Sequence, residues 1–94
     1  MRRSKLLSIV AANLKKEGIR KAYLFGSYAR KEQGKNSDID ILVDFEDTKS
    51  LLEMARIERE LSEKTGKKID LLTRNSISPL ILKYVEKEMI SLFK

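Results

Sequence analysis

Three aspartates are the residues in this sequence whose type and spacing best fit a catalytic site. Asp38 and Asp40 lie at the start of the apolar segment DIDILVDF, and Asp70 has similar apolar neighbours in KKIDLLT. Asp38 and Asp40 are two residues apart, so in a β-strand both side chains point to the same face. Two carboxylates that close repel each other unless a cation lies between them. The spacing therefore indicates a metal site.

The composition limits the kind of metal that these carboxylates could bind. The sequence contains no cysteine and no histidine, so thiolate and imidazole ligands are excluded. The remaining strong ligands are carboxylate oxygens, which suit Mg²⁺ and Mn²⁺. Two such ions held by carboxylates stabilise the in-line transfer of phosphoryl and nucleotidyl groups. We therefore predict Mg²⁺, with Mn²⁺ as the alternative, at a catalytic site formed by Asp38, Asp40 and Asp70.

A second group of candidates follows the preceding apolar segment, in the letters FGSYAR. Gly26 has no side chain to obstruct a ligand, and Ser27 stands where the N-cap of a following helix would be. Backbone N–H groups at a helix N-terminus bind phosphate, and Arg30 carries a guanidinium suited to the same phosphates. Each feature alone is more often structural. Their convergence with the aspartates in one predicted topology favours a nucleotide site.

Hydrophobic periodicity predicts the elements that position these residues. Ser4 is the predicted N-cap of a first helix that ends at Gly18, and Gly66 is predicted to end the third helix. Ser78 and Pro79 are predicted to open the last helix. The predicted elements are, in chain order, a helix over about 4–18, a strand over about 21–25, a short helix over 27–33, a strand over 38–45, a helix over 49–65, a strand over 67–73 and a helix over 79–88.

These elements predict an α/β (α+β) fold of the order α-β-α-β-α-β-α, with a small mixed sheet of three to four strands. The short link should leave the first two strands antiparallel, whereas the long helical link allows strands two and three to lie parallel. Asp70 would then be level with Asp40. The apolar tail MISLF is expected to pack back onto the sheet as the fourth strand. Residues 1–94 are expected to form a single domain.

The sequence has no run of 18 apolar residues and no signal-peptide pattern, so a cytoplasmic protein without a membrane span is expected. The letters GSYARKEQGKN lack the spacing of a phosphate-binding P-loop. Alternation along the second strand places Ile39, Ile41 and Val43 on one face and Asp38, Asp40 and Leu42 on the other.

The stretch GSYARKEQGKNSDIDILVDF closely resembles the signature of the minimal nucleotidyltransferases, a branch of the DNA polymerase β-like superfamily. The Gly-Ser pair, the Arg of YAR and the SDID block occur in the family's order and with its typical gap. The resemblance spans nearly the whole chain, from the first helix to the last. One departure is visible, because the family often has glycine directly after the arginine and this sequence has Lys31.

The resemblance implies a role for each candidate residue, with ATP as the nucleotide donor. Asp38 and Asp40 would hold the Mg²⁺ that carries the nucleoside triphosphate, and Asp70 would complete the second metal site and help to activate the acceptor hydroxyl. The residues expected to serve the nucleotide are Gly26 and Ser27 at the phosphates, Arg30 at the triphosphate and Ser37, which would orient the acidic loop.

The resemblance also implies a partner. Family members of this size usually act beside a small helical HEPN-type toxin, and some transfer AMP to a tyrosine of that toxin and so neutralise it. Larger members of the superfamily add a helical domain that holds the acceptor, so a partner is expected to complete this site. The predicted function is therefore metal-dependent transfer of AMP, or a related nucleotide, to a hydroxyl of a partner protein, as the antitoxin of a HEPN pair.

Two other functions stay open at this point. A non-catalytic antitoxin or nucleotide-binding module would act by protein binding, although intact acids at all three positions argue against a decayed site. A nucleic-acid-binding module is suggested by the net charge of +6 and by the basic N-terminus. A helix-turn-helix needs two helices joined by a short turn, however, and here a strand follows the first helix. The sequence leaves the oligomeric state open.

Overall fold

The computed structural model describes residues 2–45 and 50–93. Within those residues four strands form one mixed sheet in the order β3-β2-β1-β4. Strand β1 is antiparallel to both β2 and β4, whereas β2 is parallel to β3. The tail therefore returns to the sheet, as predicted. The strands are β1 (Ile19–Phe25), β2 (Ile39–Phe45), β3 (Ile69–Leu72) and β4 (Ile90–Ser91).

Three α-helices accompany this sheet in the described residues, and the second and third have the predicted residues at Gly66 and at Ser78 and Pro79. The Ser50 hydroxyl accepts a backbone N–H at the start of the second helix, and Gly66 ends that helix with φ 70°. Ser78 and Pro79 open the third helix as predicted. The predicted start of the second helix at Lys49 lies outside the described residues. The helices are α1 (Arg3–Lys16), α2 (Leu51–Thr65) and α3 (Pro79–Glu88).

The predicted start of the first helix is wrong. The N-cap position of α1 is Arg2, with no side-chain cap, and Ser4 lies inside the helix. A tertiary contact fixes this end instead, because the Arg3 guanidinium donates to the Tyr28 carbonyl oxygen at 2.9 and 3.2 Å. The other end is as predicted, since Gly18 follows the helix with φ 78°.

The predicted short helix over 27–33 with Ser27 as its N-cap is also wrong. The chain forms a single turn of 3-10 helix over Gly26–Tyr28, and its N-cap position is Phe25. Lys31 follows with φ 60°. A left-handed residue does not continue a right-handed helix, so the chain turns away after one turn.

No helix in residues 2–45 and 50–93 is both long enough and apolar enough to cross a membrane.

Helices α1 and α2 pack on the same face of the sheet and build the main core. Leu42 alternates onto the opposite face, where it too is buried. Core members include Leu6, Val10 and Leu14 of α1, Ile57 and Leu61 of α2, and Ile39, Ile41 and Val43 of β2.

Candidate active site

The strand pairing brings the predicted acidic residues to one end of the sheet. In the parallel pairing of β2 with β3, Asp40 lies directly opposite Asp70. Asp38 stands immediately before β2. In the antiparallel pairing of β1 with β2, Phe25 lies opposite Asp40. The end of β1, where Gly26 follows, therefore adjoins the same carboxylates.

The electrostatics of Asp40 reflect this crowding. The pKa of the Asp40 carboxyl is raised from 3.8 to about 6, chiefly by burial and then by the negative charges of Asp70 and Asp38. A hydrogen bond with Asp70 adds to the rise, and the positive charge of Lys68 opposes it. The surroundings of Asp40 therefore oppose its ionisation.

The donor set fits a hard divalent cation by its chemistry. Three carboxylates offer only oxygen ligands, which suit Mg²⁺ or Mn²⁺, and a cation would neutralise the repulsion that acts on Asp40. In the described part of the chain, no group of three or more acidic side chains is arranged so that it could hold a metal ion as it stands. Asp38 instead has an oxygen 3.9 Å from the Lys68 ammonium. The residues fit the ion, but their arrangement is not that of a closed shell.

Gly26 has no room for a side chain. Its φ is 73°, and a Cβ atom built there would lie 2.5 Å from the Asp40 Oδ2 atom. Side chains are strained at this φ, and real Cβ atoms do not approach other atoms so closely. The absence of a side chain at Gly26 therefore allows the backbone to pass directly beside the Asp40 carboxylate.

Gly26 and Arg30 converge on a third group that the sequence did not indicate. The Gly26 N–H donates to Glu88 Oε1 at 3.2 Å, and Arg30 Nη1 donates to the two Glu88 oxygens at 3.1 and 3.2 Å. Arg30 Nε also donates to Glu32 Oε1 at 2.6 Å. We call the Gly26 N–H and the Arg30 guanidinium the anion seat.

The two predicted serines have different surroundings. Ser27 is not at an α-helix N-terminus, and its carbonyl oxygen accepts the Glu32 N–H at 2.9 Å. The Ser37 hydroxyl oxygen accepts the Gly34 N–H at 2.7 Å and so closes the loop that leads into Asp38. Ser37 is therefore placed to shape the acidic loop, whereas Ser27 lacks the helix N-terminus that its predicted role used.

Glu88 and Lys68 are the residues of this site that the sequence reasoning missed. Strand β4 pairs Ile90 with Leu24. Glu88 lies two residues before Ile90, at the end of α3, and it meets Gly26, which lies two residues after Leu24. This register was the signal that could have revealed Glu88, but it is visible only when the pairing of the tail with β1 is known.

The mixed sheet, with carboxylates level on two parallel strands beside a Gly-Ser turn, agrees with the nucleotidyltransferase domain that the resemblance implies. Residues 8–94 match the family model described as "Polymerase beta, Nucleotidyltransferase", so the chain belongs to this family. The family and the fold predicted from the sequence are thereby confirmed.

Individual relatives agree with this assignment. A Methanocaldococcus jannaschii protein named "Putative protein adenylyltransferase MJ0435" is 51% identical over 77 residues, which cover 82% of this chain and 83% of the relative. Protein adenylyltransferase MntA of Thermococcus cleftensis is 41% identical over 78% of this chain and 74% of its own length. A crystal structure of a toxin–antitoxin with AMP-PNP matches with a TM-score of 0.82 and 27% identity, over 93% of this chain and 72% of that one.

Proposed function

We propose that this protein transfers AMP from ATP to a hydroxyl group of a partner protein. The observation that carries the proposal is the pairing of Asp40 with Asp70 beside Gly26 at one end of the sheet. Relatives named as protein adenylyltransferases support the same activity. AMP-PNP, an ATP analogue, in the related toxin–antitoxin structure supports ATP as the donor.

The transfer needs one bond to form and one to break. The acceptor hydroxyl oxygen bonds to the α-phosphorus of ATP, the bond from that phosphorus to the bridging oxygen of the β-phosphate breaks, and pyrophosphate leaves. Asp70 accepts the hydroxyl proton. Asp38 and Asp40 would hold a Mg²⁺ or Mn²⁺ ion, with Asp70 completing a second site, and the ion would neutralise charge on the phosphate oxygens.

The phosphates are assigned to the other side of the same site. The backbone at Gly26 and Ser27, together with the Arg30 guanidinium, binds the triphosphate, and Ser37 holds the loop before Asp38. Because the Gly26 backbone lies against the Asp40 carboxylate, bound phosphates and acidic groups would be adjacent. Positioning reactants in this way supplies much of the rate of such a transfer.

The partner that we propose is a HEPN-type toxin whose hydroxyl receives AMP, with this protein as the antitoxin. The related toxin–antitoxin structure supports an assembly of this kind. We further propose that residues 1–94 act as a single domain and that the reaction takes place in the cytoplasm, where ATP is available.

The proposal is tested by incubating the protein with ATP labelled at the α-phosphate, Mg²⁺ and the candidate toxin. We expect one or more AMP groups on hydroxyl side chains of the toxin, found by mass spectrometry, and no labelling with Asp38→Asn. A wild-type protein that binds and inhibits the toxin without transferring label would instead be a non-catalytic antitoxin.

A further inference from the structure

Glu88 occupies the anion seat from within the chain. Its carboxylate accepts the Gly26 N–H and the Arg30 guanidinium, which are the two donors assigned above to the phosphates of the nucleotide. A carboxylate and a phosphate present the same kind of acceptor to such donors, a charged oxygen. The seat cannot hold both anions through the same N–H groups.

The contact is open enough to be exchanged. The Glu88 side chain is 32% exposed and the Arg30 side chain 46% exposed. Ion pairs with this exposure contribute little to stability, because water and salt screen them and can solvate each partner. A displaced Glu88 carboxylate would therefore pass into water at small cost.

Arg30 has a second carboxylate partner besides Glu88. Its Nε atom donates to Glu32 at 2.6 Å, on a separate edge of the guanidinium. When Glu88 leaves, the edge that carries Nη1 becomes available while the Nε edge keeps its bond to Glu32. Arg30 can therefore offer Nη1 to a competing anion without losing both of its carboxylate partners.

We propose that Glu88 is an internal competitor of the nucleotide triphosphate, which binds by displacing the Glu88 carboxylate from the anion seat. This proposal rests on the proposed function, since it concerns the phosphates of the same donor. Glu88 is the last residue of α3 and β4 begins at Ile90, so the competing group is anchored on the sheet beside the seat. Displacement makes the apparent affinity for the nucleotide lower than the seat alone would give.

The test compares the dissociation constants of wild type, Glu88→Gln and Glu86→Gln for two probes. AMP-PNP with Mg²⁺ probes the whole site, and inorganic triphosphate without metal probes the seat. Glu86→Gln is the matched control, because it makes the same change of charge on the same helix at a residue that pairs with Arg74 and lies outside the seat. Thermal melts verify that each variant is folded.

We expect Glu88→Gln to bind both probes more tightly, by about two- to fivefold, as the loss of a partly exposed ion pair implies. Glu86→Gln should bind as wild type does. Glu88→Asp, which keeps the charge on a shorter side chain, should fall between wild type and Glu88→Gln.

Other results would overturn the proposal in distinguishable ways. Unchanged AMP-PNP binding by Glu88→Gln would remove the competition but leave the proposed function standing. Weaker binding would show that Glu88 positions Arg30 for the nucleotide. Failure of wild type and all variants to bind either probe would contradict both the competition and the proposed function.

Discussion

Gly26 is the residue whose replacement best separates backbone strain from a steric conflict in the site. Three glycines have positive φ, at Gly18, Gly26 and Gly66, but an added Cβ meets a neighbour within 4 Å only at Gly26. We predict that Gly18→Ala and Gly66→Ala each lose about 1 kcal/mol of unfolding free energy, from left-handed strain alone. Gly26→Ala should lose about 2–4 kcal/mol, because Asp40 must also move. Urea unfolding measures all three.

Activity provides the second comparison for this series. Gly26→Ala should lose AMP transfer because the Asp40 carboxylate is displaced, whereas Gly18→Ala should keep it. A Gly26→Ala protein as stable as Gly18→Ala and equally active would show that the site does not require the close approach of backbone and carboxylate.

Lys31 is a residue-scale departure from the family pattern that the backbone explains. It adopts φ 60°, a conformation in which glycine is less strained. We predict that Lys31→Gly raises the unfolding free energy by up to about 1 kcal/mol, because relief of left-handed strain exceeds the added entropy of the unfolded chain. Chemical denaturation tests this, and a clear loss of stability would mean that contacts of the lysine side chain outweigh the strain.

The raised pKa of Asp40 predicts a pH dependence of stability in the metal-free protein. The pKa is about 6 in the folded state against 3.8 without the fold, so the folded protein binds more protons between about pH 4 and 6. The unfolding free energy should therefore fall as pH rises through this window. Asp40→Asn should remove this part of the decline, and at pH 7 it should be more stable than wild type by about 0.5–2 kcal/mol.

Denaturation at a series of pH values in the presence of a chelator checks this prediction. Added Mg²⁺ with ATP should then stabilise wild type and affect Asp40→Asn little, since a ligand stabilises only the state that binds it. If Asp40→Asn is destabilised and neither protein responds to the ligands, these acids have a structural role.

At the scale of elements, the edge strand β3 depends on a contact from α2. The Glu58 carboxylate accepts the Leu71 N–H at 2.8 Å, next to Asp70 on the strand. We predict that Glu58→Ala lowers the unfolding free energy by about 1–3 kcal/mol, because the Leu71 N–H loses its acceptor. Glu58→Gln, which keeps an acceptor oxygen, should lose less.

Glu63→Ala is the matched control for this contact. Glu63 lies on the same helix, with its side chain 72% exposed and 4.0 Å from Arg59. Its loss should change stability by no more than about 0.5 kcal/mol. Equal urea midpoints for Glu58→Ala and Glu63→Ala would contradict the role given to the contact.

Element-scale patterns could be predicted from the sequence where local chemistry decides them. The caps Ser78 and Gly66 and the alternation of β2 are local signals, and the structure follows them. The start of α1 was wrong because Arg3 binds a carbonyl 25 residues away. The predicted short helix was wrong because Lys31 takes a left-handed conformation that its residue type does not favour.

At the scale of the whole molecule, the site draws on every strand of the described sheet. Strand β2 carries Asp40, β3 carries Asp70, Gly26 follows β1, and Glu88, two residues before β4, accepts the Gly26 N–H. The aspartates could be found from the sequence because each belongs to a conspicuous pattern. Glu88 could not, since its position depends on a two-residue strand that pairs at long range.

The most direct test of the proposed chemistry is the single-turnover rate of AMP transfer to the partner protein by wild type, Asp40→Asn and Asp44→Asn. Asp44 is the matched control, because it lies on the same strand and pairs with Arg74 away from the acidic cluster. We predict that Asp40→Asn slows transfer at least about a hundredfold, equivalent to roughly 2.7 kcal/mol of barrier. Asp44→Asn should stay within about threefold of wild type. Transfer by Asp40→Asn at the wild-type rate would contradict the assignment of the carboxylates as the catalytic centre.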